Sequence, residues 1–137
     1  MPDADDFNAQ IIKEFRENHG KVGGGFEGAP MLLLTTVGAK SGATRVNPMM
    51  YLADGERRYV FASKAGAPTN PDWYYNLLAH PEVSIEVGDQ RVDVLATPVT
   101  GADRDRIYAQ QATLYPGFAE YEEKTDRVIP VVALDPR

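Results

Sequence analysis

Apolar positions along the chain follow two different periods. In residues 5–19, Phe7, Ile11, Ile12 and Phe15 recur at helical spacing, acidic residues precede them, and Gly20 can stop the helix. This predicts an amphipathic helix packed on a sheet. Its polar face mixes Lys13 and Arg16 with Glu14 and Glu17, whereas helices that lie on membranes favour a Lys/Arg-rich face. The stretch from Lys21 to Gly28 is glycine-rich and lacks the Gly-Lys-Ser/Thr ending of a phosphate-binding loop, so it reads as a flexible connection.

From Met31 onward the apolar positions come in short runs and alternations. Met31–Val37 predicts a buried strand, and Arg45–Leu52 a second one, with Pro48 marking an edge or a bulge because proline cannot donate to a ladder. Asp54-Gly55 is a hairpin signal, and Arg58–Ala62 returns as a third strand. Asn70 as N-cap and Pro71 as first residue open a helix running to about Ala79. Val83–Val87 alternates, turns at Gly88-Asp89 and returns as Arg91–Val99. Thr100 then caps a helix to about Leu114, Tyr115–Lys124 reads as a turn plus a short acidic helix, and Val128–Leu134 is a closing strand. Six short, hairpin-linked strands imply antiparallel pairing, and a small barrel removes their exposed edges. The fold class expected is mainly β with flanking helices.

At 137 residues the chain predicts a single domain, with residues 1–27 as an N-terminal helix and glycine-rich connection. The chain has no cysteine, and its two histidines, His19 and His80, belong to no spaced ligand motif, so no metal site is expected. The acidic N-terminus lacks an apolar signal region and no apolar run approaches a membrane span, so a cytoplasmic protein is expected, with peripheral membrane contact through the first helix left open. Monomer and homodimer both remain open.

Charge changes the picture most. The whole chain carries a net charge of −6, yet residues 38–66 hold five basic residues (Lys40, Arg45, Arg57, Arg58, Lys64) against two acidic ones. That distribution argues against nucleic acid, which needs an extended basic face, and is compatible with one anionic small molecule. Distant carboxylates are screened over about 8 Å at physiological salt.

Nucleophilic chemistry finds no support: Ser41, Ser63 and Ser84 have no His-Asp pattern nearby, and Gly-x-Ser-x-Gly is absent. A protein with so little acid–base equipment borrows a coenzyme for difficult chemistry if it is an enzyme. Lys40, Ser41 and Arg45 read either as a solvated hairpin or as a turn whose backbone N–H groups converge on an anion. Trp73 reads either as core or as one wall of a site. Asn47, beside Pro48, is a candidate polar contact to a flat heteroaromatic ring. Tyr115, Phe118 and Tyr121 recur every three residues, as packing or as a wall over a pocket.

The ordered runs GAKSGATRVNP, ASKAGAPTNPDWYYNL, LYPGFAEY and TDRVIPVV resemble the deazaflavin-dependent nitroreductase family from about Gly28 to the C-terminus. The resemblance implies a six-stranded antiparallel split β-barrel, like flavin-binding barrels, that binds 8-hydroxy-5-deazaflavin (coenzyme F-420). It implies hydride transfer from the reduced coenzyme to an electron-poor acceptor, whether quinone, nitroaromatic or activated C=C. Lys40, Ser41, Gly42 and Arg45 match the family's phosphate-binding loop. Pro48, Ala62, Ser63 and Lys64 match positions beside the ring and its linker, and Trp73 and Asn76 match the helix that closes over the ring. Tyr115 and Tyr121 match aromatic positions on the substrate side, where either hydroxyl, or that of Ser63, would donate a hydrogen bond to developing negative charge. The chain departs from members active on bicyclic nitroimidazoles at Ala39, Met50 and Phe118. An FMN-dependent reductase and a non-catalytic deazaflavin carrier are the rival readings.

Overall fold

The computed structural model describes residues 4–22, 30–67 and 69–137, with the side chains of residues 4–8 and 65 outside that set. In chain order the elements are α1 (Ala4–Glu17), β1 (Met31–Val37), β2 (Thr44–Met50), β3 (Leu52–Asp54), β4 (Arg57–Phe61), a 3-10 turn (Lys64–Gly66), α2 (Asp72–Ala79), β5 (Glu82–Val87), β6 (Gln90–Val99), α3 (Gly101–Leu114), α4 (Gly117–Glu123) and β7 (Val131–Pro136). The glycine-rich connection expected over 21–28 falls mostly outside the described residues.

All seven strands join one antiparallel sheet in the order β2-β1-β5-β6-β7-β4-β3. The count corrects the expected six. The apolar run 45–52 breaks at Tyr51 into β2, which pairs with β1, and β3, which pairs with β4. These are the two opposite edges of the sheet. In a flat sheet seven strands wide those edges would stand about 29 Å apart, six spacings of about 4.8 Å. The step from Met50 to Leu52 spans at most about 7 Å. The sheet therefore curls until its edges meet, and the result is a half-barrel. Pro48 sits on β2, an edge strand, where its missing N–H faces no neighbour.

Alternation along the strands fills both faces. Leu32 and Leu34, Val83 and Ile85, Val94 and Ala96, and Val132 and Leu134 point into the barrel, where Trp73 and Leu77 of α2 pack as a plug. Outside, Tyr59, Phe61, Val131 and Ala133 meet Ile107 and Tyr108 of α3 and Phe118 of α4. On the other flank, Met31 and Leu33 bury Ile11 and Phe15 of α1. The apolar face of α1 that a membrane would need is thus packed against β1 at these two residues.

Two caps differ from expectation. α2 begins at Asp72 with Pro71 in the cap position and no side-chain cap. Asn70 instead donates its Nδ2 to the Tyr75 hydroxyl (3.2 Å) and accepts from Arg127 on its Oδ1 (2.8 Å). Thr100 occupies the cap position of α3, but its hydroxyl makes no capping bond.

The outer core is tied by two side chains of α3. Arg104, buried, donates to the Ile129 carbonyl (3.0 Å) and to Glu122 (3.3 Å), and its guanidinium lies 4.6 Å from the Tyr108 ring centre. The Tyr108 hydroxyl donates to the Phe118 carbonyl at 2.6 Å. Burial, then the charge of Glu122, pushes the Tyr108 phenol well above the usual tyrosine range. Tyr108→Phe should lower unfolding stability by about 1 kcal/mol in denaturant titrations near neutral pH. Because the native phenol keeps its proton where an unfolded tyrosine loses it, above about pH 10, the native state binds more protons there. Stability carried by this group falls as pH rises. The difference between wild type and Tyr108→Phe should therefore shrink above about pH 10.

Candidate active site

A groove of about 1150 Å³ opens at the barrel mouth between α1, the β1–β2 turn, β2, the Lys64 turn and α2. Directly opposed residues on paired antiparallel strands share a face. Asn47 opposes Leu34 and Arg45 opposes Thr36, so Asn47 and Arg45 extend the barrel's inner face out to its rim. Pro48, opposite Leu33, belongs to the other face.

The β1–β2 turn is built to hold a shape. Gly42 N–H donates to the Gly38 carbonyl (3.0 Å), Gly38 N–H to the Ala43 carbonyl (2.8 Å), and Ala43 N–H to the Ser41 hydroxyl (3.1 Å). A Cβ on Gly38 would collide with Ser41 Oγ, and Gly42 adopts φ +72°, which L side chains rarely take. Asn76 fastens the turn to α2. Its Oδ1 accepts from the Ala39 N–H (3.0 Å) and its Nδ2 donates to the Thr36 hydroxyl (3.2 Å). The buried Asn76 amide thus has a partner at each end and acts first as a brace.

Several cations are paired with carboxylates: Arg16 with Glu86, Arg57 with Asp135, and Arg104 with Asp105 and Glu122. Lys40 and Arg45 are not. Both are exposed in the groove, and neither side chain has an acidic or hydrogen-bonding partner among the described residues. Lys64, also lining the groove, donates to the Thr69 hydroxyl (3.2 Å). Trp73 is buried among the barrel's core residues and still forms part of the groove wall, so core and wall are the same residue.

Of the residues singled out in the sequence, Lys40, Ser41, Arg45, Asn47, Lys64, Trp73 and Asn76 line this one groove. Gly42 shapes the turn behind it. Ala62 is fully buried in the barrel, and Ser63 precedes the 3-10 turn. Tyr115 and Tyr121 do not line the groove. Both pack half-buried against the outer core, the Tyr121 ring edge-on to Phe118 at 5.4 Å. α4 nonetheless sits directly behind the second basic loop, since a Cβ on Gly66 would approach the Tyr121 carbonyl to 3.0 Å.

The residue that sequence reasoning missed is Arg127. It donates to the carbonyls of Ala67 (2.9 Å), Ala62 (3.0 Å) and Ser63 (2.7 Å) and to Asn70 Oδ1 (2.8 Å). Nothing in its local spacing announces this, because all four acceptors lie 57 to 65 residues away in the chain.

Fold and groove define a class: an antiparallel barrel whose open mouth is cationic on one side and aromatic on the other. The chain belongs to the family described as F420H(2)-dependent quinone reductase, whose family model matches residues 9–136. It is 39% identical over 127 residues to an F420H(2)-dependent quinone reductase of Mycobacterium tuberculosis, covering 90% of this chain and 85% of the relative. Among solved structures it resembles an F420-H2 dependent reductase (FDR-A), with 40% identity, TM-score 0.71, and coverage of 77% of this chain and 94% of the other. A second structure, described as a domain-swapped dimer, is 34% identical with TM-score 0.74 and covers 96% of this chain and 98% of its own.

Asn76→Ala should leave the Ala39 N–H and the buried Thr36 hydroxyl without their partner. The expected loss is about 1–3 kcal/mol in unfolding stability, with faster amide exchange concentrated in residues 38–43. Uniform acceleration across the sheet would contradict the bracing role.

Proposed function

We propose that this protein transfers a hydride from a reduced 8-hydroxy-5-deazaflavin coenzyme to a quinone-type acceptor, with the coenzyme seated in the groove at the barrel mouth. The observation that carries this placement is the pair of unpartnered cations, Lys40 and Arg45, facing one groove with Trp73. Ligand pockets for small molecules run to about 1,000 Å³, so the groove has room for a tricyclic ring and a charged tail. The donor set suits that group. Lys40 and Arg45 supply charge for an anionic tail, the N–H groups of Lys40 and Ser41, which have no acceptor among the described residues, supply further donors, and Trp73 supplies an apolar wall for the ring.

When bound, the reduced coenzyme supplies a hydride from its C5 position. The protein's own residues do the rest. Lys40 and Arg45 hold the tail by charge-assisted hydrogen bonds, which are the stronger kind. Asn76 keeps the turn that carries Lys40 in register with α2. Asn47 contacts the polar edge of the ring, and Trp73 with the barrel core excludes water from it. A hydrogen bond to charge developing on the acceptor comes from Tyr115, Tyr121 or Ser63. Such a donor, preorganised, lowers the barrier more than it strengthens ground-state binding.

No helix among the described residues is long and apolar enough to cross a membrane.

Anaerobic oxidation of the reduced deazaflavin by a water-soluble naphthoquinone tests this directly. Saturable, enzyme-dependent oxidation is expected. Tight binding without turnover would make the protein a carrier, and turnover with reduced FMN alone would make it an ordinary flavin reductase. Lys40→Ala and Arg45→Ala should each raise the coenzyme dissociation constant about tenfold, or about 1.4 kcal/mol, with kcat at saturation changed less. Wild-type affinity should fall as salt rises. Tyr115→Phe or Tyr121→Phe should lower kcat while leaving coenzyme affinity nearly intact. Full activity in both would leave α4 as packing alone.

A further inference from the structure

The turn at Lys64 borders the groove, and its conformation is not one that its own sequence favours. Lys64 adopts φ +46°, in the left-handed region that costs a residue with a side chain about 1 kcal/mol or more. Among the described residues the loop's internal backbone bonds are two, from Gly66 N–H to the Ser63 carbonyl (2.9 Å) and from Ala67 N–H to the Lys64 carbonyl (3.0 Å), beside the side-chain bond from Lys64 to Thr69. What holds it from behind is Arg127, whose guanidinium fork reaches three loop carbonyls and Asn70. No carboxylate pairs with Arg127 among the described residues. Its charge is met only by carbonyl and amide oxygens.

The geometry of a trans peptide turns that clamp into a statement about the opposite side. The chain has no cis bond among the described residues, and in a planar trans peptide the C=O and the N–H point in opposite directions. Arg127 holds the carbonyls of Ala62 and Ser63. The N–H groups of those two peptides belong to Ser63 and Lys64, and both point away from Arg127. Neither has an acceptor among the described residues. Two adjacent donors are thus left open on a loop whose next side chain, Lys64, lines the groove.

We propose that Arg127 is a positioning residue for the coenzyme: it clamps the 62–67 loop so that the Ser63 and Lys64 N–H groups form a donor pair for an acceptor oxygen of the bound ligand. This rests on the placement of the deazaflavin in the groove and adds to it a residue that touches no ligand. Guanidinium is suited to the task and ammonium is not, because only a planar fork can meet several fixed acceptors at once. The cationic clamp also polarises the two peptides it holds, strengthening their N–H groups as donors.

The test compares wild type with Arg127→Met, which keeps volume, and Arg127→Lys, which keeps charge. Two readouts are needed: amide exchange in the ligand-free protein, and the dissociation constant of the oxidised deazaflavin. In both variants exchange should accelerate at Gly66 and Ala67, the hydrogen-bonded amides of the loop, while the strands stay protected, and the dissociation constant should rise about tenfold, the loss expected for two ligand hydrogen bonds weakened together. The turnover number at saturation should change less than the dissociation constant. A folded variant with wild-type affinity would overturn the proposal. Should Arg127→Met fail to fold, Arg127→Lys is read by the same criteria. If the wild type itself bound no deazaflavin, the coenzyme placement would fail, and the clamp would still stand or fall on loop exchange in the ligand-free protein.

Discussion

The rest of the structure depends on a single covalent constraint, the one-residue link at Tyr51. Because β2 ends at Met50 and β3 begins at Leu52 on opposite edges of the same sheet, seven strands have to roll up. Rolling creates an inside, which the alternate residues of β1 and β4–β7 fill and which α2 plugs with Trp73 and Leu77. It also leaves β2 standing at the rim with one neighbour. There its inward positions, Arg45 and Asn47, have no facing strand and line a groove instead. The groove is thus a consequence of closure being incomplete at one edge.

Electrostatics then selects what the rim can hold. An acidic protein has enough carboxylates to satisfy its cations, and it does so at Arg16, Arg57 and Arg104. Leaving Lys40 and Arg45 unmatched in one groove costs mutual repulsion that salt screens. An anionic ligand removes that repulsion. Arg127 solves a different problem, since it holds the shape of the loop across the groove through backbone oxygens. Two cations face the groove, and one cation faces the protein.

Much of this was legible in the sequence because it is periodic. The strands at 31–37, 83–87 and 91–99 follow alternation or a buried apolar run, and the hairpins follow Gly55 and Gly88. The break at Tyr51 was not legible, because Pro48-Met49-Met50-Tyr51-Leu52 runs on without a turn residue between Met50 and Leu52 and nothing local says that its two ends pair with different strands. The cationic turn was visible as a charge surplus against an acidic background, and its resemblance to a family's phosphate loop agreed with it. The inward role of the Asn76 amide was hidden, because its partners Thr36 and Ala39 lie far away in sequence. Arg127 was hidden for the same reason: its acceptors are main-chain carbonyls, which every residue has. Tyr115 and Tyr121 were visible as a repeat of three, but spacing alone does not say which side of α4 meets a ligand, and here both rings pack on the outer core.

Trp73 provides the most direct test, as the one tryptophan in the chain and a residue shared by the barrel core and the groove wall. A deazaflavin ring in that groove would lie within the range of direct aromatic contact, about 4.5–7 Å between ring centres, and would drain the indole's excited state. Tryptophan emission is followed while oxidised deazaflavin or FMN is added, with free indole as the control for absorbed light. Saturable quenching by the deazaflavin at micromolar concentration, with FMN far weaker, is the result this account predicts. Tighter quenching by FMN would contradict the coenzyme assignment, and no saturable quenching by either would remove the ligand from this groove.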